Sequence, residues 1–500
     1  MSKTAGLKIS ILGTLALLCA LLLAYGYFSF PVPLEDSIVY LPPAINFCAG
    51  KGLINEVFPI AKVLDPLGQG RLIYNVPLFP WLLGKLMWQP TPQNAFFVIS
   101  LLNSLSLCLS GFLFYHAATI RSRINFCSTF LIMASLAGQQ TLFTAHYGAR
   151  PEILAILFVL LGITALILTS FRFQVPILGL ALGCLGATHP SAAIIFAILI
   201  AFYFSFAKSG LSLILHLAGI YILSIISFTV LLILSPFPIK DILTGTLKHY
   251  RLIMQHLPAK TDWISYLTYA NSTFYSVLIL LSVLLGLLFF FKSQKNLRYP
   301  RQSFAFLFLL ILVLFKLSFF STRIGPAFLF SPLCFSFLIY FLTQTGSRSL
   351  WFQWPVFFVI ALTSVGAIRY GLLFPFYLSK GMSLESARDH FREIEKQHPE
   401  SRFGITDPLW VLSENYDRFT YCQYLREREC HAKPEKFFLF WQQNGEGSLM
   451  PRPEINHLPL KENFYSSEVP RLFGIKLAHT MPGYFFAVYC GEVAESLKKN

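Results

Sequence analysis

Glu35 and Asp36 stand side by side in "PLEDSIVYLPPAINFCAGKG", just past the first apolar run of the chain. A carboxylate placed there can take a proton from a hydroxyl as a general base. It can equally cap the helix that begins near Ser37, where Asp is a favoured residue. A second carboxylate, Glu152, follows Arg150 by two positions in "HYGARPEILA", with His146 just before them. A charge at the mouth of a membrane span is costly unless paired or used, though Arg150 can also snorkel to the interface. Lys316 and Arg323 bracket a turn in "KLSFFSTRIGPAFLFSPL". Lys316 falls inside an apolar boundary, where a cation needs an anion. A lipid phosphate, gripped bidentately by an Arg, would serve, and so would bulk headgroups. Lys248, His249, Arg251 and Lys260 are a weaker phosphate clamp, and His189 in "ATHPSAAI" reads as packed or hydrogen-bonded between helices.

Elements able to position such groups follow from composition. The 500 residues are 55% hydrophobic, 16% aromatic and only 13% charged, about half the charge of an ordinary soluble domain. This is the signature of an α-helical polytopic membrane protein. The formal net charge of +15 does not point to nucleic acid. Residues 379–500 hold 16 Lys and Arg against 17 Asp and Glu, so the tail is nearly neutral. The remaining 23 basic and 7 acidic residues lie in 1–378, where basic turns between apolar spans set membrane orientation. No basic stripe suits a duplex groove.

Runs of roughly 20 apolar residues mark spans near 9–29, 94–119, 125–145, 151–170, 174–188, 190–207, 212–235, 272–291, 303–321, 325–343 and 353–375. These make about eleven transmembrane helices, the first read as a retained span and not a cleaved signal peptide. With the N-terminus in the cytoplasm, the short cytoplasmic turns carry Arg121, Arg123, Arg172, Lys208, Lys292, Lys295, Arg298, Arg301 and Arg348 and no acid. Glu35, Asp36, Glu56, Asp65, Glu152, Asp241 and Asp262 then all fall on the outer side. Two outer loops are long, 30–92 and 236–271. The first contains "RLIYNVPLFPWLLGKLMW", too short to span, which reads as helices lying in the interface with Trp81 and Trp88 at headgroup level. Residues 379–500 read as a small extracytoplasmic α/β or α+β domain, with a helix around 384–397 and strands in "KFFLFW" and "GYFFAVYC". Cys422 and Cys430 could pair there in an oxidising compartment.

"EDSIVYLPPAINFCAGKGLINE" resembles the first outer loop of the GT-C glycosyltransferases, polytopic enzymes that use polyprenyl-phosphate sugars. Protein O-mannosyltransferases and the aminoarabinose transferases of lipid A belong to this superfamily. The shared features are the acidic pair Glu35-Asp36, then Tyr40, then Ala44 to Asn46, then Gly50-Lys51-Gly52. "YNVPLFPWLLG", from Tyr74 to Gly84, is similar to a segment that follows in many members. Arg150 with Glu152, His189 with Pro190, and the stretch from Lys316 to Leu333 match positions often polar in such enzymes. The resemblance runs in order over 30–340. Pro42-Pro43 departs from it and is predicted to break or kink the loop helix.

The resemblance implies sugar transfer from a polyprenyl-phosphate donor to an extracytoplasmic glycan, lipid or protein, at a site facing away from the cytoplasm of an inner membrane. Asp36 would be the general base, with Glu35 assisting or binding a metal. Tyr40, His146, Arg150, Glu152, His189, Lys316 and Arg323 would line the substrate site. Some members use a divalent ion and others do not, and no D-x-D decides the matter here. A non-enzymatic lipid or solute transporter is the alternative. Transporters favour mid-membrane charges and repeated halves, whereas these acids cluster on one side and no repeat is visible. An O-antigen ligase or polymerase would also use prenyl carriers, but lacks this first-loop pattern.

Overall fold

The computed structural model describes residues 37–121 except Tyr74, then 150–168, 171–207, 210–233, 235–256 and 384–405, with short stretches between 409 and 490. Glu35, Asp36, His146, Lys316, Arg323, Cys422 and Cys430 lie outside the described residues. So do the expected spans at 9–29, 125–145, 272–291, 303–321, 325–343 and 353–375.

The first long loop holds α1 (Ser37–Cys48), α2 (Pro59–Leu64) and α3 (Leu78–Leu86). Then follow α4 (Pro92–Arg121), α5 (Glu152–Leu168), α6 (Phe171–Thr188), α7 (Pro190–Ala207) and α8 (Gly210–Ile233), with α9 (Ile239–His256) in the second long loop. Among the described residues, Pro92–Ser110 of α4 and the whole of α8 are long and apolar enough to cross a membrane. α8 leaves Leu211, Ile214, Leu215, Ile222, Ile225 and Ile233 exposed. Water would penalise that face and lipid would not. Its other side packs on α6, where a Cβ on Gly179 would lie 2.5 Å from Leu223 Cβ and one on Gly183 2.5 Å from Ser227 Cβ. Two glycines four residues apart let the backbones approach where no larger side chain fits.

The spans expected at 174–188 and 190–207 are separated by a single residue, His189. Its N–H donates to the Leu185 carbonyl at 2.7 Å, and its own carbonyl accepts from the Ala193 N–H at 3.1 Å. Pro190 opens α7 at a position where a missing N–H costs no helical bond.

α1 corrects the expected break, one half of the expectation of a break or a kink at Pro42-Pro43. The helix runs unbroken through Pro42 and Pro43. Pro42 cannot donate to the Ile38 carbonyl four residues earlier, and that carbonyl instead accepts from Asn55 Nδ2 at 2.7 Å. Ile38, Leu41, Ala44 and Ile45 are buried in one apolar cluster with Phe79 and Leu83 of α3, which holds the kink-prone segment in place. The helix closes in a Schellman motif: the Lys51 N–H reaches the Asn46 carbonyl at 2.9 Å and the Gly50 N–H the Phe47 carbonyl at 3.1 Å. Gly50, at φ 79°, supplies the left-handed residue this ending requires.

In the tail, α10 (Leu384–Gln397) covers a sheet of β1 (Phe403–Ile405), β2 (Phe419–Tyr421), β3 (Phe437–Trp441), β4 (Leu460–Phe464) and β5 (Phe486–Cys490), in the order β2-β1-β3-β5-β4. β1 runs parallel to β2 and β3, and β5 is antiparallel to β3 and to β4. "KFFLFW" and "GYFFAVYC" are thus neighbouring strands. Phe391 of α10 packs edge-on to Phe403 with ring centroids 5.2 Å apart.

Candidate active site

The described part of α1 begins at Ser37, the residue that follows the acidic pair in the sequence. Tyr40 is half-buried on this helix. Its hydroxyl accepts from Asn75 Nδ2 at 3.2 Å, and its ring stands edge-on to Phe79 at 5.5 Å. Both partners come from the "YNVPLFP" segment, which therefore packs directly against the helix that follows the acids.

Arg150, Glu152 and His189 come together. Glu152 opens α5, where a carboxylate is favoured by the helix dipole, and is 1% exposed. Its Oε1 accepts from Arg150 Nε at 2.8 Å and pairs with Arg150 Nη2 at 2.6 Å. His189 Nε2 lies 3.9 Å from the same oxygen. The Ala192 N–H donates to His189 Nδ1 at 3.3 Å, and the Ser191 hydroxyl lies 3.1 Å from the same nitrogen. Glu152 Oε2 is buried and has no hydrogen-bond partner among the described residues. A buried carboxylate oxygen left unsatisfied is expensive, and this one keeps its capacity to accept. Leu154, two residues further on, belongs to the same apolar cluster as Ile38 and Leu41.

A second charged network escaped the reading of the sequence. Asp65, in the turn after α2, is buried and accepts from the backbone N–H groups of Leu67, Gln69 and Arg71, each at 3.1 Å. Arg71 Nη2 donates to it at 2.8 Å and Arg71 Nε at 3.0 Å. Arg71 Nη1 also reaches Asp241 of α9 at 3.2 Å, and its guanidinium sits 5.6 Å over the Phe237 ring. The first long loop is thereby tied to the second. α9 passes so close that a Cβ on Gly245 would lie 2.4 Å from the Ile73 carbonyl oxygen. Only the spacing of Asp65 from Arg71 across two turn glycines hinted at this; Asp241 is 170 residues away from Arg71.

Burial raises the Asp65 carboxyl, but hydrogen bonds from the Arg71 side chain and from the Arg71 and Leu67 amides, with the Arg71 charge, outweigh it and hold it below 3.8, the ordinary value. Its stabilisation is therefore complete above that value and is lost as pH falls through the depressed one. Arg71→Ala should cost about 3–5 kcal/mol by stranding a buried charge, measured as heat stability of the purified protein. Asp241→Ala should cost far less, because Asp241 is one-third exposed and such pairs are worth little. Asp65→Asn should flatten the fall of stability in acid.

Among the described residues, no group of three or more His, Cys, Asp or Glu gathers to hold a metal ion. Arg150, bonded to Glu152, opposes a cation at that carboxylate. The Arg150–Glu152–His189 cluster therefore does not fit a divalent ion.

No protein-family model matches the sequence, and no curated protein matches it. Solved structures do. ArnT from Cupriavidus metallidurans in the apo state aligns with a TM-score of 0.55 at 10% identity over 100% of both chains. ArnT from the same organism bound to undecaprenyl phosphate aligns over 99% of each chain, at 10% identity and a TM-score of 0.49. Arabinofuranosyltransferase AftD from Mycobacteria aligns over 96% of this chain at 14% identity and a TM-score of 0.49, and the chain spans 40% of AftD's length. The apo ArnT match shows a shared fold, that of a helical polytopic membrane protein. A shared fold does not by itself carry an activity.

Proposed function

We propose that the chain is a GT-C type glycosyltransferase that moves a sugar from a polyprenyl-phosphate carrier to an extracytoplasmic glycan, lipid or protein. The observation that carries this reading is the first-loop signature on the ArnT fold: an acidic pair, the α1 helix bearing Tyr40, and its Gly50 ending. Asp36 takes the proton of the acceptor hydroxyl. The freed oxygen attacks the anomeric carbon, the bond from that carbon to the phosphate oxygen breaks, and the polyprenyl phosphate departs. Charge builds on the sugar and on the leaving phosphate as this bond opens, so fixed groups aimed at both lower the barrier.

Glu35 assists Asp36. Lys316 and Arg323 hold the departing phosphate. Arg150, Glu152 and His189, joined by His146, face the substrate, with Glu152 Oε2 able to accept a hydrogen bond from a sugar or acceptor hydroxyl. The carrier class follows the first-loop resemblance, and ArnT itself has been solved with undecaprenyl phosphate. About eleven spans place the N-terminus in the cytoplasm and residues 379–500 outside it, in the inner membrane.

Two experiments test this. The purified protein in lipid, given polyprenyl-phosphate sugars and an envelope-derived acceptor fraction, should release polyprenyl phosphate as the sugar appears on the acceptor. Release of sugar from the carrier without its arrival on any acceptor would exclude a transferase. In a cysteine-accessibility map, cysteines placed after residue 380 should react with impermeant reagents from outside the cell. Protection from outside with labelling only after lysis would invert the topology and move the site to the cytoplasm.

A further inference from the structure

The carbonyl of Ile38 lies in the first turn of α1, two residues after Asp36. In an unbroken helix it would accept from the N–H of residue 42, but residue 42 is Pro and has none. The pyrrolidine ring also crowds that carbonyl and tilts it out of the helix. A buried carbonyl with no donor costs about 1–3 kcal/mol. Asn55 supplies the donor at 2.7 Å.

Asn55 is 0% exposed and is held on every side. Its Oδ1 accepts from the Phe58 N–H at 3.1 Å, which orients the amide so that Nδ2 faces Ile38. Its backbone N–H donates to the Gly70 carbonyl at 2.7 Å, and the neighbouring Leu72 N–H donates to Leu53 at 2.8 Å. Gly70 has φ 76°, and a Cβ there would lie 2.5 Å from the Asn55 carbonyl oxygen, so only Gly lets these segments meet. Arg71, the next residue, anchors the pair through Asp65 and Asp241.

From this we infer that Asn55 is a positioning residue for the transfer reaction: its side-chain amide replaces the missing Pro42 N–H and fixes the first turn of α1, the helix that follows Asp36 in the chain. The inference that it acts on catalysis rests on the function proposed above; the inference that it splints α1 does not. Asn55 acts through the Ile38 carbonyl, and the path continues through Gly70 and Arg71 to α9 of the second long loop.

The test exploits the proline. Pro42→Ala restores a backbone N–H aimed at the Ile38 carbonyl, so it should make the Asn55 amide dispensable. Four proteins are compared: wild type, Asn55→Ala, Pro42→Ala and the double variant. Each is measured for thermal unfolding in one detergent and for kcat and KM with one polyprenyl-phosphate sugar. Asn55→Ala should unfold several degrees lower and lose about tenfold or more in kcat, the scale of a small misplacement of a catalytic group, with KM for the donor little changed. In the double variant most of both losses should be recovered. If Asn55→Ala fails to fold, recovery of folding in the double variant supports the splint equally.

Losses from Asn55→Ala that are as large in the Pro42→Ala background as in the wild-type background would overturn the splint. A rescued melting temperature with an unchanged kcat throughout would keep the splint and overturn its part in catalysis. A wild-type protein that transfers no sugar would sink the proposed function and the positioning role with it, while the coupling in thermal unfolding would still judge the splint.

Discussion

Asp36→Asn should reach the membrane at near-normal levels and transfer sugar about a hundredfold more slowly or worse, the usual scale for loss of a general base. The substitution keeps size and most hydrogen bonding and removes the negative charge. As a helix cap, Asn serves about as well as Asp. A structural role therefore predicts no change in folding or in transfer, and a catalytic role predicts a loss of transfer only. Glu35→Gln should cost less than Asp36→Asn. Equal losses from both would mean that the pair acts as one unit and that Asp36 is not the distinct base.

Arg150→Ala should have the next largest effect. Glu152 is buried with one oxygen bound to Arg150 and the other unsatisfied among the described residues. Removing the guanidinium strands a buried carboxylate, at about 3–5 kcal/mol, and transfer should fall with it. Pairing the change with Glu152→Gln removes the stranded charge, so stability should largely return. Under the proposed function transfer should not return, because the double variant lacks both the cation and the carboxylate assigned there to the substrate site. Recovery of both stability and transfer would reduce the cluster to an internal ion pair.

Local spacing made some of this legible. Gly50, in the Gly50-Lys51-Gly52 stretch that the first-loop resemblance picks out, does end α1, because a left-handed residue is a property of a few neighbouring positions. Arg150 and Glu152, two apart, pair as their spacing suggests. His189 joins them only because α6 and α7 meet at that residue, which no local pattern states. Pro42-Pro43 misled for the same reason in reverse: the rule for proline in a helix is local, and the donor that repairs it is Asn55, brought in from the next turn of the chain. The pairing of Arg71 with Asp241 was out of reach, since nothing in either sequence neighbourhood names the other. The apolar spans were read from composition, but which faces pack was not; Gly179 and Gly183 fix α6 against Leu223 and Ser227 of α8, across the whole of α7. The expected roles of Asp36, Lys316 and Arg323 are proposals drawn from the first-loop resemblance and the topology.

The most direct measurement is mass spectrometry of cell-envelope glycans, glycoproteins and lipids from three strains: one with the wild-type chain, one lacking it and one carrying Asp36→Asn. A transferase with Asp36 as its base predicts at least one envelope species that loses a single sugar residue in the deletion strain, and the same loss in the Asp36→Asn strain although the protein is present in the membrane. An identical set of glycosylated species in all three strains would contradict the account.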